Sequence, residues 1–364
     1  MKKTFIIIVL LFMVAIVPAM AQVAFQPKIT MPPIPKGIVK TSVVYRDTLK
    51  MNIFVDTTLQ VRGRRPLFLY DHGGGWNEPN YEINVANSPS AFYDLLHNGF
   101  VIAAIDYRQG VRIATREGRV KAEEVTPKDS KIIFDSKRMA GVLREAQLMA
   151  VEDLYDATAY LVNNASRWNI DTAKVIVGGG SAGAINSLHA ENMLCNGHEL
   201  ALKHLPRGFH YAGVVACAGW MWMENGKKIE WKTKPCPIML FHGTGDNIVY
   251  CDSLALRSCP VVMYGSKHIA KSLKDIKAPY WVTYYDGYDH VVSGLPFESN
   301  GYEMLAFIRR YIFNKENVSE EATEQCYEGP RNLLSFYAEK MGIPKEKLLE
   351  VILKGMQKQF DEQQ

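Results

Sequence analysis

Residues 175–184 read VIVGGGSAGA, an apolar β-branched run that ends in glycines around a serine. The part from Gly179 to Gly183 fits G-x-S-x-G, the pattern of a nucleophile elbow, in which a buried strand turns sharply into a helix. Side chains two positions before and after Ser181 would collide with neighbouring backbone, which is why both positions require glycine. We expect this turn to expose the Ser181 Oγ and to aim the N–H of Ala182 at a developing oxyanion.

The same glycines leave two other interpretations open. Gly178, Gly180 and Gly183 also fit G-x-G-x-x-G, which after a strand can hold the pyrophosphate of a dinucleotide. A nicotinamide-dependent oxidoreductase would need an acidic residue at the end of the next strand, 212–217, but Ala-Gly-Trp follows that strand. The other interpretation is a glycine-rich turn without chemistry, as in a non-catalytic binding module.

Composition and charge narrow the class of protein. The chain has 364 residues, of which 48% are hydrophobic and 22% are charged, as in ordinary globular proteins. The formal net charge is +4, and the loss of Lys2 and Lys3 with a leader would leave +2. This weak charge indicates neither a nucleic-acid partner nor an acidic membrane surface.

Residues 1–21 are typical of a secretory signal peptide. A lysine pair precedes 13 apolar residues at 5–17, and Ala-Met-Ala at 19–21 forms a small-x-small cleavage site. The apolar run is too short to span a membrane. We therefore expect a mature protein that begins at Gln22 and is exported to the periplasm or the medium, without stable membrane insertion.

The 6 cysteines are sparse and lack metal-type spacing. Most are expected to be buried apolar side chains. Cys251 and Cys259 are close enough in sequence for a disulfide, which export would permit. The sequence predicts no metal and no cofactor.

Apolar strand patterns alternate with helical patterns along most of the chain. Apart from a strand pair within 41–56, the predicted strands are 66–70, 100–105, 174–177, 212–217, 238–241 and 280–285. The predicted helices are 88–98, 146–164, 182–196, 266–276 and 301–313. This alternation predicts an α/β fold with a mostly parallel central sheet and helices on both faces.

The predicted domain organisation has four parts: a signal peptide at 1–21, an irregular Pro-rich segment at 22–40, a catalytic domain at 41–314 and a helical extension at 315–364. Within the catalytic domain, residues 110–144 are rich in Lys, Arg and Glu and are too long for a usual connection. They form either a lid or a solvated excursion. Within the extension, Pro344 precedes an amphipathic pattern that we expect to be a helix docked on the core.

A second glycine motif, HGGGW at 72–76, follows the strand at 66–70. Three glycines after a strand let the backbone turn and present N–H groups without side-chain obstruction. We expect Gly74 and Gly75 to supply further oxyanion donors opposite Ala182. A tight turn beside a buried His72 is the alternative without chemistry, but the joint presence of this motif and G-x-S-x-G favours the oxyanion interpretation.

A serine nucleophile needs a base and an orienting carboxylate. Asp246 follows the strand at 238–241, and His290 follows the strand at 280–285. The carboxyl ends of parallel strands meet at one edge of a sheet, where open α/β proteins build their sites. The order Ser181, Asp246, His290 is the one expected for an elbow of this kind.

Three other residues compete for these roles. His242 precedes the acid at a strand end, where we expect it to make local hydrogen bonds. Asp289 adjoins His290 and is therefore poorly placed to reach Nδ1 of that ring. Asp252 is a reserve candidate for the acid.

These features together resemble α/β-hydrolases of the hormone-sensitive-lipase-like group, which includes carboxylesterases and acetyl esterases. The resemblance covers about residues 41–313 and depends on the motifs at 72–76 and 179–183, on 106–108 (Asp-Tyr-Arg), and on the two residues just proposed as acid and base. It implies Ser181 as nucleophile, His290 as base, Asp246 as its partner, and an oxyanion hole formed by Gly74, Gly75 and Ala182. The cap of that group is usually N-terminal, whereas here the additional sequence lies at 110–144 and in the tail.

The predicted function is that of an exported serine esterase acting through an acyl-enzyme on a small-molecule or carbohydrate ester. A lipase or a serine peptidase on the same fold is the alternative. Trp76, Trp220 and Trp222 fall near the predicted site, where they either crowd the acyl pocket and favour short acyl groups or serve as core aromatics.

Overall fold

The computed structural model describes residues 32–79, 81–121, 137–224, 226–256, 259–325 and 332–350. The predicted signal peptide and its cleavage site lie outside the described residues, as do residues 122–136 of the predicted insertion. Within the described ranges, no helix combines the length and the apolar character needed to cross a membrane.

Nine strands of the described chain form the central sheet, in the spatial order β1-β2-β4-β3-β5-β6-β8-β11-β12. Their bounds are β1 Ile38–Arg46, β2 Leu49–Asp56, β3 Arg65–Asp71, β4 Val101–Ile105, β5 Ile170–Gly180, β6 Gly213–Cys217, β8 Ile238–Gly243, β11 Tyr280–Tyr285 and β12 Ser319–Glu324. Strand β2 pairs antiparallel with β1 and with β4, and every other pairing in this sheet is parallel. The first eight positions of this order, with the second strand reversed, define the α/β-hydrolase fold.

Helices cover both faces of the sheet. They are α1 Ala91–His97, α2 Gly110–Arg116, α3 Lys137–Asn163, α4 Ala182–Cys195, α5 Glu199–His204, α6 Ser266–Asp275, α7 Leu295–Ser299, α8 Gly301–Phe307 and α9 Leu333–Lys340. Alternate residues of each buried strand enter opposite cores: Val175 and Val177 pack with α3, α4 and α6, whereas Ile176 packs with α1, α7 and α8. Both faces are therefore apolar, as the continuous apolar strands predicted.

A smaller antiparallel sheet, which the sequence analysis did not predict, lies outside the central one. It consists of β7 Met221–Glu224, β10 Val261–Tyr264 and β9 Ser253–Ala255, in the order β7-β10-β9. These strands are only three or four residues long, too short for a period-two pattern to stand out. Side chains from this sheet, from α2 and from the start of α3 form a third apolar cluster.

Three details differ from the sequence predictions. The helix predicted at 146–164 begins earlier, at Lys137, so part of the predicted insertion is the first turns of α3. The C-terminal extension contributes β12 as well as helices, one of which begins just after Pro344. Cys251 and Cys259 are both free, so the disulfide that their spacing permitted is not formed.

Candidate active site

The turn between β5 and α4 carries Ser181 in a backbone conformation that only a tight turn produces. Its φ of +54° and ψ of −120° lie where non-glycine residues are strained. Two backbone hydrogen bonds hold it there: Ser181 N–H donates to Cys217 O at 2.9 Å, and its carbonyl accepts from Ile185 N–H at 3.0 Å. The strain is thus fixed by β6 on one side and by the first turn of α4 on the other.

The glycines on either side of the serine are required by close backbone approach. A Cβ on Gly179 would lie 2.0 Å from the carbonyl oxygen of Asp71, and a Cβ on Gly183 would lie 1.9 Å from the same atom. Any side chain at either position would therefore force β3 away from the turn. This is the steric reason expected from the G-x-S-x-G pattern.

Ser181, His290 and Asp246 form a continuous hydrogen-bonded chain. His290 Nε2 lies 2.9 Å from Ser181 Oγ, and His290 Nδ1 lies 2.7 Å from Asp246 Oδ2. With Asp246 ionised, Nδ1 carries the proton and donates to the carboxylate, so Nε2 accepts from the serine hydroxyl. This is the arrangement in which an imidazole can remove the hydroxyl proton.

The Asp246 carboxylate is buried and fully hydrogen-bonded. Its Oδ1 accepts from the backbone N–H groups of Ile248 and Val249, each at 2.9 Å. Burial alone would raise the pKa of Asp246, but the charge of His290 and the nearby His242 and His290 side chains outweigh burial and hold this pKa well below its ordinary value. The carboxylate therefore stays ionised over the whole physiological range.

The interaction between Asp246 and His290 raises the pKa of the base while it lowers the pKa of the acid. Burial lowers the pKa of His290, but the charge of Asp246 and the hydrogen bond to it have the larger effect, and the net result is a pKa above 6.5. The imidazolium that forms during proton transfer is therefore stabilised at its position.

The three competing residues lie outside this chain of hydrogen bonds. His242 makes local contacts, with Nδ1 2.7 Å from Ser266 Oγ and Nε2 2.8 Å from Val249 O. Asp252 is exposed and pairs with His268 at 2.9 Å. Asp289 accepts from Val291 N–H at 2.9 Å and from Leu333 N–H at 3.2 Å, which makes it a cap that ties α9 to the histidine turn.

The loop after β3 brings its glycines against the elbow. A Cβ on Gly73 would lie 3.0 Å from Gly180 O and 3.5 Å from the Ser181 side chain. Gly74 and Gly75 have φ values of +111° and +60°, and within the described residues their N–H groups donate no hydrogen bond. Ala182 opens α4, where the first N–H groups of a helix lack an intrahelical acceptor. Among the described residues, the loop that contacts Ser181 and the first turn of α4 thus carry three N–H groups without an acceptor.

Two residues of this neighbourhood were given no role by the sequence analysis, although the family resemblance included Tyr107 within 106–108. Tyr107 donates its hydroxyl to His72 O at 2.8 Å and stacks on the His72 ring with centroids 4.2 Å apart, which supports the start of the glycine loop. Asn186 accepts a hydrogen bond from Trp76 Nε1 at 3.0 Å. Its position four residues after Ala182, on the same face of α4, was the available signal.

The three tryptophans predicted near the site lie in the third apolar cluster together with Ala182 and Ile185. All three are buried. Trp76 comes from the glycine loop, Trp220 from the connection between β6 and β7, and Trp222 from β7.

One group of described side chains has metal-ligating chemistry, namely Glu152, Asp156 and His204. Its carboxylates are already paired with arginines: Arg46 lies 2.9 Å from Glu152 and 2.7 Å from Asp156, and Arg108 lies 2.9 Å from Glu152. The guanidinium groups take the place that a cation would need. This group is therefore an ion-pair network that joins β1 to α3.

Comparison with known proteins gives structural similarity without sequence relatives. No protein-family model matches the chain, and no curated protein matches it either. Esterase B from Lactobacillus Rhamnosis is 13% identical over 87% of this chain and 100% of its own, with a TM-score of 0.49. Propionate-bound esterase 2 from Thermogutta terrifontis is 17% identical over 78% and 96%, with a TM-score of 0.48. The α/β-hydrolase MGS-M1 from a Medee basin deep-sea metagenome is 18% identical over 73% and 89%, with a TM-score of 0.43.

The strand order and the turn geometry define an α/β-hydrolase fold with a serine, a histidine and an aspartate hydrogen-bonded in series. Similarity of this size to solved structures says nothing about the substrate. Membership of the hormone-sensitive-lipase-like group within this fold stays a prediction from the sequence.

Proposed function

We propose that this protein is a serine esterase that hydrolyses carboxylic esters through an acyl-enzyme. The observation that carries the proposal is the chain from Ser181 Oγ through His290 to Asp246, with contacts of 2.9 and 2.7 Å. The N–H groups of Gly74, Gly75 and Ala182, which have no acceptor in the described part of the chain, support it. A nucleophile, a base with its orienting acid, and oxyanion donors are the parts that acyl transfer needs.

In acylation, Ser181 Oγ attacks the ester carbonyl carbon while His290 Nε2 takes the hydroxyl proton. The carbonyl oxygen becomes an oxyanion that accepts hydrogen bonds from the N–H groups of Ala182, Gly74 and Gly75. The intermediate then collapses with cleavage of the bond to the alcohol oxygen. His290 returns its proton to that leaving oxygen, and the acyl group remains on the serine.

In deacylation, water takes the place of the serine hydroxyl. His290 removes a proton from water, the hydroxide attacks the acyl carbonyl, and the same donors hold the second oxyanion. Collapse releases the carboxylic acid, and the proton on His290 returns to Ser181 Oγ. Asp246 stays ionised throughout and fixes the tautomer and orientation of the imidazole.

The structure argues against the dinucleotide interpretation of the same glycines. The backbone of Val215, Ser293 and Asp71 already makes the close approaches at Gly178, Gly180 and Gly183, so neighbouring chain segments account for all three glycines of that motif. The next strand, β6, ends at Cys217 and supplies no acid for a ribose. A lipase or a peptidase remains the alternative within the same chemistry.

The test of the proposed function is labelling with a serine-directed phosphonate. We expect Ser181 alone to be labelled, because only a base-activated hydroxyl reacts quickly. Ser181→Ala should lower the turnover of p-nitrophenyl acetate by more than about 10⁴-fold with unchanged circular dichroism. The matched control is Ser166→Ala, an exposed serine in the turn before β5, which should be fully active. Labelling of another serine would refute the proposal.

We also propose that the substrates carry short acyl groups, such as acetyl groups on carbohydrates. The support is the packing of Trp76, Trp220 and Trp222 in one buried apolar cluster with Ala182, next to the nucleophile. Activity on p-nitrophenyl esters should fall steeply from acetate to octanoate, and Trp222→Ala should shift the optimum to longer chains. Trp231→Ala, which packs against a different cluster, should not. A preference for palmitate would indicate a lipase, and a comparison of acetylated xylan with a feruloyl ester would identify the alcohol and acyl classes.

We further propose that the protein works outside the cytoplasm, on the strength of the leader pattern at residues 1–21. N-terminal sequencing of protein recovered from the periplasm or the medium should find Gln22 first. An intact Met1 on a membrane-embedded product would refute this.

A further inference from the structure

The indole of Trp76 is attached to helix α4 by one buried hydrogen bond. Trp76 Nε1 donates to Asn186 Oδ1 at 3.0 Å, and the two side chains are 4% and 0% exposed at the residue level. Both residues are therefore shielded from bulk solvent. The bond therefore joins the loop that follows β3 directly to the helix that follows the nucleophile.

The loop needs such an attachment because its backbone is strained at this point. Trp76 has a φ of +57°, in the left-handed region that disfavours residues with a side chain. A residue keeps this conformation only where its surroundings hold it. On the backbone side, the Trp76 carbonyl accepts from the N–H groups of Val111 at 3.0 Å and Arg112 at 3.4 Å. On the side-chain side, Asn186 supplies the polar contact.

The orientation of the oxyanion donors depends on this residue. Gly74 and Gly75 have no side chains of their own to pack, and their N–H groups are unpaired within the described residues. The Gly74 carbonyl accepts from the N–H groups of Asn77 at 3.0 Å and Glu78 at 3.3 Å, so the backbone of the loop and the attachment of the neighbouring Trp76 together fix this peptide. Ala182, the third donor, lies one helical turn before Asn186 on the same face of α4. One helix thus carries one donor and anchors the other two.

We propose that Asn186 is a positioning residue for ester hydrolysis, which holds the N–H groups of Gly74 and Gly75 in register with that of Ala182 through the indole of Trp76. This inference rests on the proposed esterase function. Asn186 would touch no substrate and would act on acyl transfer only through the position of the oxyanion donors.

The second polar atom of Asn186 argues against a purely structural role. Asn186 Nδ2 makes no hydrogen bond of acceptable geometry within the described chain, and neither carboxyl oxygen of Asp71 does. Asn186 nevertheless lowers the pKa of Asp71, which places the amide toward that carboxyl without a well-formed bond. A buried asparagine kept only for stability would have both ends satisfied, because an unpaired amide is costly. Here the well-formed bond is the one to Trp76.

The experiment is a double-mutant cycle with Asn186→Leu, which removes the acceptor, and Trp76→Phe, which removes the donor. Each replacement leaves an apolar side chain to fill the buried position. Each single change should lower kcat for p-nitrophenyl acetate about 10–100-fold, somewhat less than the loss of a whole oxyanion donor. KM should change less than about threefold, since the donors act on the transition state. The kcat of the double variant should lie within about twofold of the kcat of the less active single variant, because both changes break the same hydrogen bond.

The matched control is Ser187→Ala, at the next position of α4, whose buried hydroxyl also has no partner within the described residues. It should retain wild-type kcat. In all variants the rate of phosphonate labelling at Ser181 should fall by the same factor as kcat/KM, and the pH at which His290 titrates in the rate profile should stay unchanged.

The outcomes separate the two proposals. A wild-type protein that neither hydrolyses the ester nor reacts at Ser181 would refute the esterase function and, with it, this inference. An active wild type whose Asn186→Leu and Trp76→Phe variants keep their kcat, or lose it independently and multiplicatively, would refute the positioning role alone. The inference would also fail if activity were lost only in proportion to the protein that unfolds, as measured by thermal melting.

Discussion

Two buried aspartates, Asp246 and Asp71, lie at the carboxyl ends of parallel strands on either side of Ser181, and their pKa values are shifted in opposite directions. Asp246 follows β8, and its carboxylate accepts hydrogen bonds from His290 and from two backbone N–H groups. Asp71 ends β3, is completely buried, and accepts no hydrogen bond of acceptable geometry within the described residues. The pKa of Asp246 is held well below its ordinary value, whereas burial raises the pKa of Asp71 well above it.

Asp71 and Asp246 are the same residue type and are both buried, so the difference between their pKa values comes from their hydrogen-bonding and charged partners. Burial raises both pKa values, but only Asp246 has a cationic partner and enough donors to reverse that effect. The base side of Ser181 therefore holds a negative charge that stabilises the imidazolium. On the oxyanion side, the raised pKa of Asp71 favours the neutral acid just before the glycine loop, where an ionised carboxyl would oppose the charge developing on the oxyanion.

The largest effect should come from neutralising the charged side of this pair. Asp246→Asn should lower kcat about 10⁴-fold, because an uncharged partner no longer selects the reactive tautomer or stabilises the imidazolium. Steady-state kinetics with circular dichroism measure this. Asp252→Asn and Asp289→Asn should stay within about tenfold of the wild type, since neither carboxyl contacts His290. If Asp289→Asn were the sensitive variant, the assignment of the acid would be wrong.

A smaller effect is expected from pH. The pKa of His290 is raised above 6.5, and only the neutral imidazole can accept the serine proton. The value of kcat/KM should therefore fall below this raised pKa, by roughly tenfold for each further pH unit. In Asp246→Asn the same inflection should move to lower pH, because the charge that raises the pKa is gone. An inflection that stays in place would separate the pH dependence from His290.

Substitution of Asp71 should change the stability of the protein rather than its rate of ester hydrolysis. Folded Asp71 keeps its proton above pH 3.8, where the unfolded chain loses it, so the free energy of unfolding falls as pH rises toward the raised pKa. Asp71→Asn removes this dependence and should raise the free energy of unfolding at pH 8 by about 1–3 kcal/mol. Urea denaturation from pH 4 to pH 8 measures the difference, which should grow with pH. A constant difference would mean that Asp71 is already ionised.

The smallest effect should come from the cap on the base side. Asp289→Ala removes the acceptor for Val291 N–H and Leu333 N–H and should cost about 1 kcal/mol, as for other lost caps. Its carboxyl ties α9 to the histidine turn, so limited proteolysis should cut near residues 333–340 faster in this variant. Asp252→Ala, an exposed acid, is the control. Equal cleavage in both would show that the cap does not hold the C-terminal helix.

The sequence was most informative where the chemistry is encoded locally. G-x-S-x-G predicted the strained turn at Ser181, because the glycines at 179 and 183 are the local mark of a turn that packs against the end of a neighbouring strand, here at Asp71. Asp246 and His290 could be placed near it because the carboxyl ends of parallel apolar strands share one edge. The structure brings the three side chains within hydrogen-bonding distance.

Contacts between distant segments were beyond the sequence. The strands of the small sheet are too short for a pattern to stand out, and the acidic strand β12 has no apolar pattern, so both are recognised only by their pairing with neighbours. Cys251 and Cys259 are close in sequence but are not bridged. The bond between Trp76 and Asn186 joins residues 110 positions apart. The charge states of Asp71 and Asp246 also depend on tertiary partners, because a pKa is set by the groups that surround a carboxyl in space rather than by its neighbours along the chain.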